Sequence, residues 1–258
     1  MENAALKKRT IVELDSTTST NSVALQMARQ GAASGTVVVA RTQTQGRGRM
    51  QRTWLSPPGT GLYFSMILRP RLAAADLPGI TLAAGVALCR AIECRCQLAS
   101  RLKWPNDLLL SNRKAGGILC ESEPDAADSS RQSYVVVLGV GLNISTPADA
   151  FPADLRARAT SLFIESGRIF ANHDMLTESA RQVDGVMEQM EAGGSPVVFA
   201  EWQARDAIKG QTLTWVTVGR EKVSGTALGL NSDGSYSIRA ADGTVHQVLS
   251  GDIELAGL

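Results

Sequence analysis

Three arginines lie close together in one short segment of the chain, residues 42–54, which reads TQTQGRGRMQRTW. Arg47, Arg49 and Arg52 carry planar guanidinium groups whose donors match the oxygens of a phosphate or a carboxylate. The glycines between them allow the backbone to approach a ligand closely. This segment, the Arg/Gly loop, is suited to wrapping a small anionic ligand, although a solvated basic turn or a nucleic-acid-binding segment has the same composition. Because its arginines repel one another, we expect the empty loop to lack contacts.

The segments on either side predict the elements that position this loop. Residues 35–41 (GTVVVAR) are rich in β-branched residues and predict a buried strand that leads into the loop, and residues 62–68 (LYFSMIL) predict the next strand. Upstream, the run DSTTSTN at 15–21 predicts the start of a helix over residues 21–30, which stops at Gly31. Capping needs one such residue, so other hydroxyls are left to contact a polar ligand.

Further polar residues stand where strands begin or end. In residues 102–110 (LKWPNDLLL), Pro105 breaks the chain and leaves Asn106 and Asp107 at a corner. A carboxylate there is able to hold Mg²⁺ or steer an amine, and the alternative is an ordinary proline turn. In residues 114–121 (KAGGILCE), Lys114 begins a strand beside two glycines. Its side chain either points into a site or is a solvated amine at the edge of a hairpin.

Residues 133–144 (SYVVVLGVGLNI) predict a strand in which Gly139 and Gly141 admit a flat ring against the backbone. The sequence GVGLN is not the glycine fingerprint of a dinucleotide site. Residues 159–162 (ATSL) precede a predicted loop. Core helices are predicted over 76–94 and 174–191, followed by a short helix over 196–207, because apolar residues recur there at helical spacing.

The composition describes a globular chain. Hydrophobic residues make up 44% of the 258 positions, and the formal net charge of +1 gives no bulk basicity for nucleic-acid binding. The N-terminal residues do not read as a signal peptide, and no apolar run is long enough to span a membrane. The four cysteines lack zinc-site spacing, which favours reduced thiols in the cytoplasm; they are Cys89, Cys94, Cys96 and Cys120.

From residue 211 onward, short strands separated by glycine turns predict a small β-barrel.

Taken in order, GRGR with Trp54, KWPND, KAGGIL and GVGLN resemble the pattern of the biotin protein ligase family, and DSTTSTN and ATSL fit it too. The resemblance covers residues 15–162. It implies an α+β fold, with a mixed β-sheet catalytic domain flanked by helices (1–208) and a small C-terminal SH3-like β-barrel domain (209–258). It also implies that the chain activates biotin with ATP and Mg²⁺ as biotinyl-5′-AMP and transfers it to a lysine of a biotin carboxyl carrier protein.

The resemblance assigns roles to matching positions. The residues expected to bind biotin are Ser19, Thr20, Asn21, Gln43, Gly46, Arg47, Lys114, Gly117, Leu119 and Gly141. Those expected to bind ATP are Arg49, Arg52, Trp54, Asn106, Lys114 and Asn143. The catalytic set is Lys114, Arg49, Arg52 and Asp107, with Asp107 also the expected Mg²⁺ ligand.

The chain departs from the family pattern in two respects. Gln51 stands where the family loop often has a third glycine. Only about a dozen residues precede the first motif, so we expect no helix-turn-helix domain and no DNA partner. The resemblance implies no membrane partner and allows a homodimer.

Two other functions remain open from the sequence. A lipoate-type ligase also needs a central lysine, although GRGR with Trp54 and KWPND favours biotin. A nucleic-acid-binding protein would need many cations and aromatic rings in the barrel, where only Arg220, Lys222, Arg239, Trp215 and Tyr236 occur.

Overall fold

Seven strands form the main sheet of the computed structural model, which describes residues 9–125, 133–216, 222–248 and 251–255. They are β1 Ile11–Leu14, β2 Val37–Ala40, β3 Gly61–Leu68, β4 Arg101–Lys103, β5 Asp107–Leu110, β6 Arg113–Pro124 and β7 Tyr134–Asn143. Their order across the sheet is β1-β2-β3-β7-β6-β5-β4, with β1 and β2 parallel and every other pair antiparallel. The expectation of a mixed sheet is confirmed.

Helices cover both faces of this sheet. They are α1 Thr20–Arg29, α2 Gly79–Cys96, α3 Leu162–Ser166, α4 Asn172–Gln189 and α5 Ser195–Ala204. On one face, α1 buries Ala24 and Ala28 against alternate side chains of β2, β3 and β7. On the other face α2 packs against β4, β5 and β6, and α4 and α5 pack against α2. Since both faces are covered, every residue of β3 is buried, as its unbroken apolar run predicts.

The prediction of a loop after ATSL was wrong. Ser161 caps the short helix α3, and its Oγ accepts a hydrogen bond of 3.1 Å from the Ile164 N–H. A serine oxygen satisfies one of the free N–H groups at a helix start, so the serine of the ATSL run was itself the signal for this helix.

The remaining strands form a second, antiparallel sheet. They are β8 Thr212–Val216, β9 Lys222–Leu230, β10 Tyr236–Ala240, β11 Val245–Val248 and β12 Asp252–Leu255, in the order β11-β10-β9-β8-β12. The N-terminal residues 1–8, from which we argued against a signal peptide, and Arg220 lie outside the described residues. None of the helices in the described ranges combines the length and apolar character needed to cross a bilayer.

The second sheet packs through buried contacts against the part of the chain that forms the main sheet and its helices. Tyr236 lies 5.8 Å from the Trp104 ring and 6.4 Å from the Trp202 ring, measured between centroids. Its hydroxyl donates a hydrogen bond of 2.8 Å to Asp206, whose pKa is raised by burial. One hydrophobic cluster contains residues of both sheets, so close packing holds the second sheet against the first sheet and its helices.

Candidate active site

One cavity of about 990 Å³ opens between the Arg/Gly loop, the start of α1, strands β5 to β7 and the C-terminal segment near Gly251. The predicted site residues that the structure brings together here lie up to 124 positions apart, from Ser19 to Asn143. The predicted site residues that line it are Ser19, Thr20, Asn21, Gln43, Arg47, Arg49, Arg52, Trp54, Asn106, Asp107, Lys114, Gly117, Leu119, Gly141 and Asn143. Gly46 does not line it: its carbonyl instead accepts a hydrogen bond of 2.8 Å from the Trp54 N–H at the base of the loop.

The floor of the cavity is a strip of bare backbone on β6 and β7. Gly117 and Gly141 are direct partners across these strands, and Gly139 lies two residues further along β7. A Cβ on Gly141 would stand 2.4 Å from the Trp54 indole, and a Cβ on Gly139 would stand 2.0 Å from Asn21 Oδ1. Gly141 therefore admits a flat ring, as the sequence suggested, and in this structure that ring is the chain's own indole, whereas Gly139 admits the amide of Asn21.

The half-buried Trp54 also presents a hydrogen-bond donor. Its Nε1 is buried and has no hydrogen-bond partner within the part of the chain that the structure describes. Buried polar atoms are normally paired, so an orphaned donor beside a cavity indicates a place for a ligand acceptor.

The first turn of α1 forms one wall of the cavity. Ser19 is the N-cap residue, yet its side chain makes no capping hydrogen bond, and its binding to a ligand stays a prediction. Gln43 takes over part of the capping, because its Oε1 accepts from the Thr20 N–H at 2.8 Å. Its Nε2 donates to Ser56 Oγ at 2.9 Å. The amide thus joins the Arg/Gly loop to the helix start.

The Arg/Gly loop folds back on itself as a short hairpin. Gly48 N–H donates to Arg52 O at 2.7 Å, and Arg47 pairs with Thr53 across the hairpin. At its tip, Gln51 has a φ of 61°, in the left-handed region that favours glycine. The position where the family pattern often has glycine is therefore one whose backbone conformation suits that residue.

The expectation that the arginines of the empty loop lack contacts was wrong. Arg47 Nη2 donates to Glu121 Oε2 at 2.7 Å, and Arg49 Nη2 donates to Gly251 O at 3.3 Å. Sequence reasoning missed both contacts because each partner is remote in the chain, on a strand or in the C-terminal segment. Arg47 and Arg49 are therefore directed toward two different acceptors.

Lys114 lies at a β-bulge where two strands change register. Leu108 pairs with Gly116 and Leu109 with Lys114, so Ala115 is the extra residue. The Lys114 ammonium lies 2.5 Å from Asp107 Oδ1 and 5.6 Å from the centroid of the Trp54 ring. Lys114 also lines the cavity, and its role in binding or catalysis stays a prediction.

Glu165, a carboxylate that no motif singled out, joins residues just before Lys114 to the segment that pairs with it. Glu165 on α3 accepts hydrogen bonds from Ser111 Oγ at 2.6 Å, Thr160 Oγ1 at 2.5 Å and Arg113 Nη2 at 2.7 Å. Lys114 itself is held by backbone hydrogen bonds on both sides, from its N–H to Arg158 O and from the Thr160 N–H to its carbonyl. Burial acts to raise the pKa of Glu165, but these donors and the Arg113 charge outweigh it, so the pKa is lowered.

Two asparagine amides have a defined orientation. Asn106 Nδ2 donates to Ile118 O at 2.8 Å, which pins the proline corner to β6. Asn143 Nδ2 donates to Thr160 O at 2.9 Å, which sets the orientation of the amide and leaves Oδ1 as its hydrogen-bond acceptor.

Known proteins have similar sequences and a similar fold. A sequence model of the biotin/lipoate A/B protein ligase family matches residues 13–143. The chain belongs to this family. It is 34% identical to the bifunctional ligase/repressor BirA of Bacillus spizizenii over 95% of this chain and 74% of that protein. It is 31% identical to the biotin–[acetyl-CoA-carboxylase] ligase of Paracoccus denitrificans over 88% and 93% of the two chains.

Solved structures of biotin protein ligases extend the match to the C-terminal sheet. The ligase from Aquifex aeolicus in complex with biotin and ATP has a TM-score of 0.81 at 25% identity, over 95% of this chain and 98% of that one. The ligase from Leishmania major in complex with biotinyl-5-AMP has a TM-score of 0.63 at 27% identity, over 93% and 97%. The family member described here therefore shares both sheets with these proteins.

The packing of the indole on the glycine floor is testable with Gly141→Ala. The added methyl needs space that Trp54 occupies, so the indole should move toward solvent and become more accessible to acrylamide quenching of its fluorescence. The same substitution in a Trp54→Phe background should leave the quenching of the other tryptophans unchanged. Unchanged quenching in the Gly141→Ala protein itself would contradict the packing.

The support that Glu165 provides should depend on pH. Because its pKa is lowered in the folded protein, the carboxylate stabilises the fold above the ordinary glutamate pKa, and this stability is lost as the pH falls through the folded value. Glu165→Gln should lower the free energy of unfolding by roughly 1 to 2 kcal/mol at neutral pH, as loss of hydrogen bonds to a charged group does. Denaturant unfolding at about pH 7 and about pH 3 should show this difference shrinking in acid. A difference that grows in acid would contradict the assignment.

Proposed function

We propose that the chain is an ATP-dependent biotin protein ligase. It activates biotin as biotinyl-5′-AMP and transfers it to a specific lysine of a biotin carboxyl carrier protein of acetyl-CoA carboxylase or a related carboxylase. The observation that carries the proposal is the meeting, in one cavity, of the glycine floor with Lys114, Arg49 and Arg52. The relatives named biotin–[acetyl-CoA-carboxylase] ligase and the neighbours with biotin and ATP bound support it.

Activation of a carboxylate needs screening of charge. An oxygen of the biotin carboxylate attacks the α-phosphorus of ATP, the bond to the β-phosphate oxygen breaks, and pyrophosphate leaves. Two anions approach each other in this step, so fixed cations lower its barrier. Lys114 is held by strand and side-chain contacts before any ligand arrives, whereas Arg49 and Arg52 lie on the loop and act by closing over the phosphates.

The two ends of the cavity suit the two substrates. The buried wall of Ser19, Thr20 and Asn21 offers polar groups to the fused rings of biotin, beside the glycine floor on which the Trp54 indole lies. Asn143 offers an oriented oxygen acceptor, which complements the exocyclic amine of adenine. Trp54 lies on the glycine floor and covers the site, with Nε1 as an additional donor.

The residues present suit Mg²⁺ only as a partner of ATP. No cluster of three or more metal-binding side chains occurs among the described residues. Mg²⁺ commonly uses one or two carboxylates and completes its coordination with water and substrate phosphates. Asp107 is the carboxylate that would hold it beside Asn106, and the ion would supply further screening of phosphate charge. The carboxylate of Asp107 already lies against Lys114, so it also steers an incoming lysine amine toward the activated carbonyl.

We also propose a division of the chain into two domains. Residues 1–208 form the catalytic domain and residues 209–258 a small SH3-like barrel, which the change of sheet between Ala204 and Thr212 and the five antiparallel strands support. The four cysteines are free thiols, which supports a reducing compartment such as the cytoplasm.

The direct test is transfer to a carrier. The protein, ATP, Mg²⁺ and biotin should add the mass of a biotinyl group to a biotin-carrier domain and release pyrophosphate, and a carrier whose acceptor lysine is replaced should stay unmodified. Lipoate in place of biotin separates the sister activity. Pyrophosphate release with lipoate and not with biotin would contradict the proposal.

Lys114 and Arg49 should fail in different ways. Lys114→Ala removes a preorganised cation and should slow adenylate formation by roughly 100-fold or more. Arg49→Ala should still bind biotin, but form the adenylate slowly and release it into solution, because Arg49 belongs to the loop that closes the site. Single-turnover formation and filtration-based retention of the adenylate measure the two effects. Formation at the parent rate in Lys114→Ala, or parent-like retention in Arg49→Ala, would contradict the corresponding role.

A further inference from the structure

One oxygen of Glu121 joins two parts of the site that are far apart in the sequence. Glu121 Oε2 accepts a hydrogen bond of 2.7 Å from Asn21 Nδ2 and another of 2.7 Å from Arg47 Nη2. These partners are 100 and 74 residues away along the chain. Nothing in the proposed reaction uses this carboxylate directly, so its role must come from what it holds.

On the α1 side, the carboxylate sets the orientation of an amide. Asn21 Nδ2 donates to Glu121 and to Leu119 O, and its Oδ1 accepts from Ser65 Oγ at 2.6 Å. An ionised carboxylate only accepts hydrogen bonds, so it excludes the flipped orientation, in which Oδ1 would face it. Asn21 also lies directly against Gly139, where even a Cβ would clash. The amide is therefore locked against the floor of the cavity.

On the loop side, the same carboxylate holds the first arginine of the hairpin. Arg47 lies between the two glycines whose backbone groups close the base of the loop, through Trp54 N–H to Gly46 O and Gly48 N–H to Arg52 O. Holding Arg47 therefore holds the base of the hairpin beside the glycine floor, with Trp54 over it. A charge-assisted hydrogen bond at this position favours the closed loop.

We propose that Glu121 is a positioning residue that couples closure of the Arg/Gly loop to the orientation of Asn21. The inference rests on the proposed function, since it concerns retention of the adenylate in the same cavity. When the loop opens, the Arg47 contact is lost, and the carboxylate then holds only Asn21. The consequence is a closed site in which the water-sensitive adenylate stays until a carrier lysine arrives.

The strand provides a matched control two residues away. Glu123 lies on the same face of β6, because side chains alternate along a strand. It pairs with Arg29 at the end of α1 at 2.7 Å, and its side chain is 24% exposed, against 27% for Glu121. Neither carboxylate lines the cavity itself, but the two partners of Glu121, Asn21 and Arg47, do line it, whereas Arg29, the partner of Glu123, does not. Glu121→Gln and Glu123→Gln therefore remove the same charge in similar surroundings, one from a carboxylate bonded to the cavity lining and one from a carboxylate that is not.

The test follows the release of preformed biotinyl-5′-AMP. The full-length protein is loaded with labelled biotin, ATP and Mg²⁺, freed of excess ligand, and the adenylate that remains bound is measured over time. Glu121→Gln should release it roughly tenfold faster, the scale expected when a charged hydrogen-bond acceptor is lost, while the adenylate formation rate changes less than retention. Glu123→Gln should match the parent, and both variants should have similar thermal midpoints.

Arg47→Gln carries the test on a half-exposed residue and remains informative if Glu121→Gln does not fold. It should accelerate release of the adenylate by the same mechanism. The double variant Glu121→Gln/Arg47→Gln should release the adenylate no faster than the faster of the two single variants. Parent-like retention in Glu121→Gln or in Arg47→Gln, equal loss in Glu123→Gln, or fully additive losses in the double variant would each overturn the inference. A parent protein that forms no adenylate would instead overturn the proposed function.

Discussion

The cavity depends on bare backbone at the centre of the main sheet. Gly117 and Gly141 face each other across β6 and β7, and the lack of side chains lets an indole and an amide rest on the strands themselves. Any β-carbon on Gly139 or Gly141 would displace the groups that form the walls. A flat surface of this kind accommodates a fused ring system, so the shape of the site follows from a few missing methyl groups.

The charges around this floor are arranged in pairs before a ligand binds. Asp107 holds Lys114 at 2.5 Å, and Glu121 holds Arg47 at 2.7 Å. Each acid stands on a strand, so each cation has a defined starting position, and mutual repulsion of the cations is reduced. A reaction that brings two anions together benefits from this arrangement, because the protein does not reorganise its charges at the moment of reaction.

The regular elements were well predicted from local pattern. The β-branched run before the Arg/Gly loop became β2, and the apolar runs that follow became β3 and α2, because their periodicity reports burial directly. The short helix α3 was missed since five residues carry too little periodicity to be recognised. The contacts of Arg47 and Arg49 were missed for a different reason: no local signal connects a loop arginine to a carboxylate on β6 or to a carbonyl near the C-terminus.

The sequence by itself indicated the kind of chemistry, because GRGR, KWPND, KAGGIL and GVGLN in this order resemble the pattern of a family that activates a carboxylate. It also determined the strands and the long helices, which depend on local spacing. Only the tertiary structure decided which acid holds which cation, how Trp54 lies on the glycines, and that Glu121 and Glu165 hold residues of the cavity lining. Apart from the Asp107–Lys114 pair on neighbouring strands, those relations join residues 52 to 100 positions apart, and they form only when the sheet brings distant strands and helices side by side.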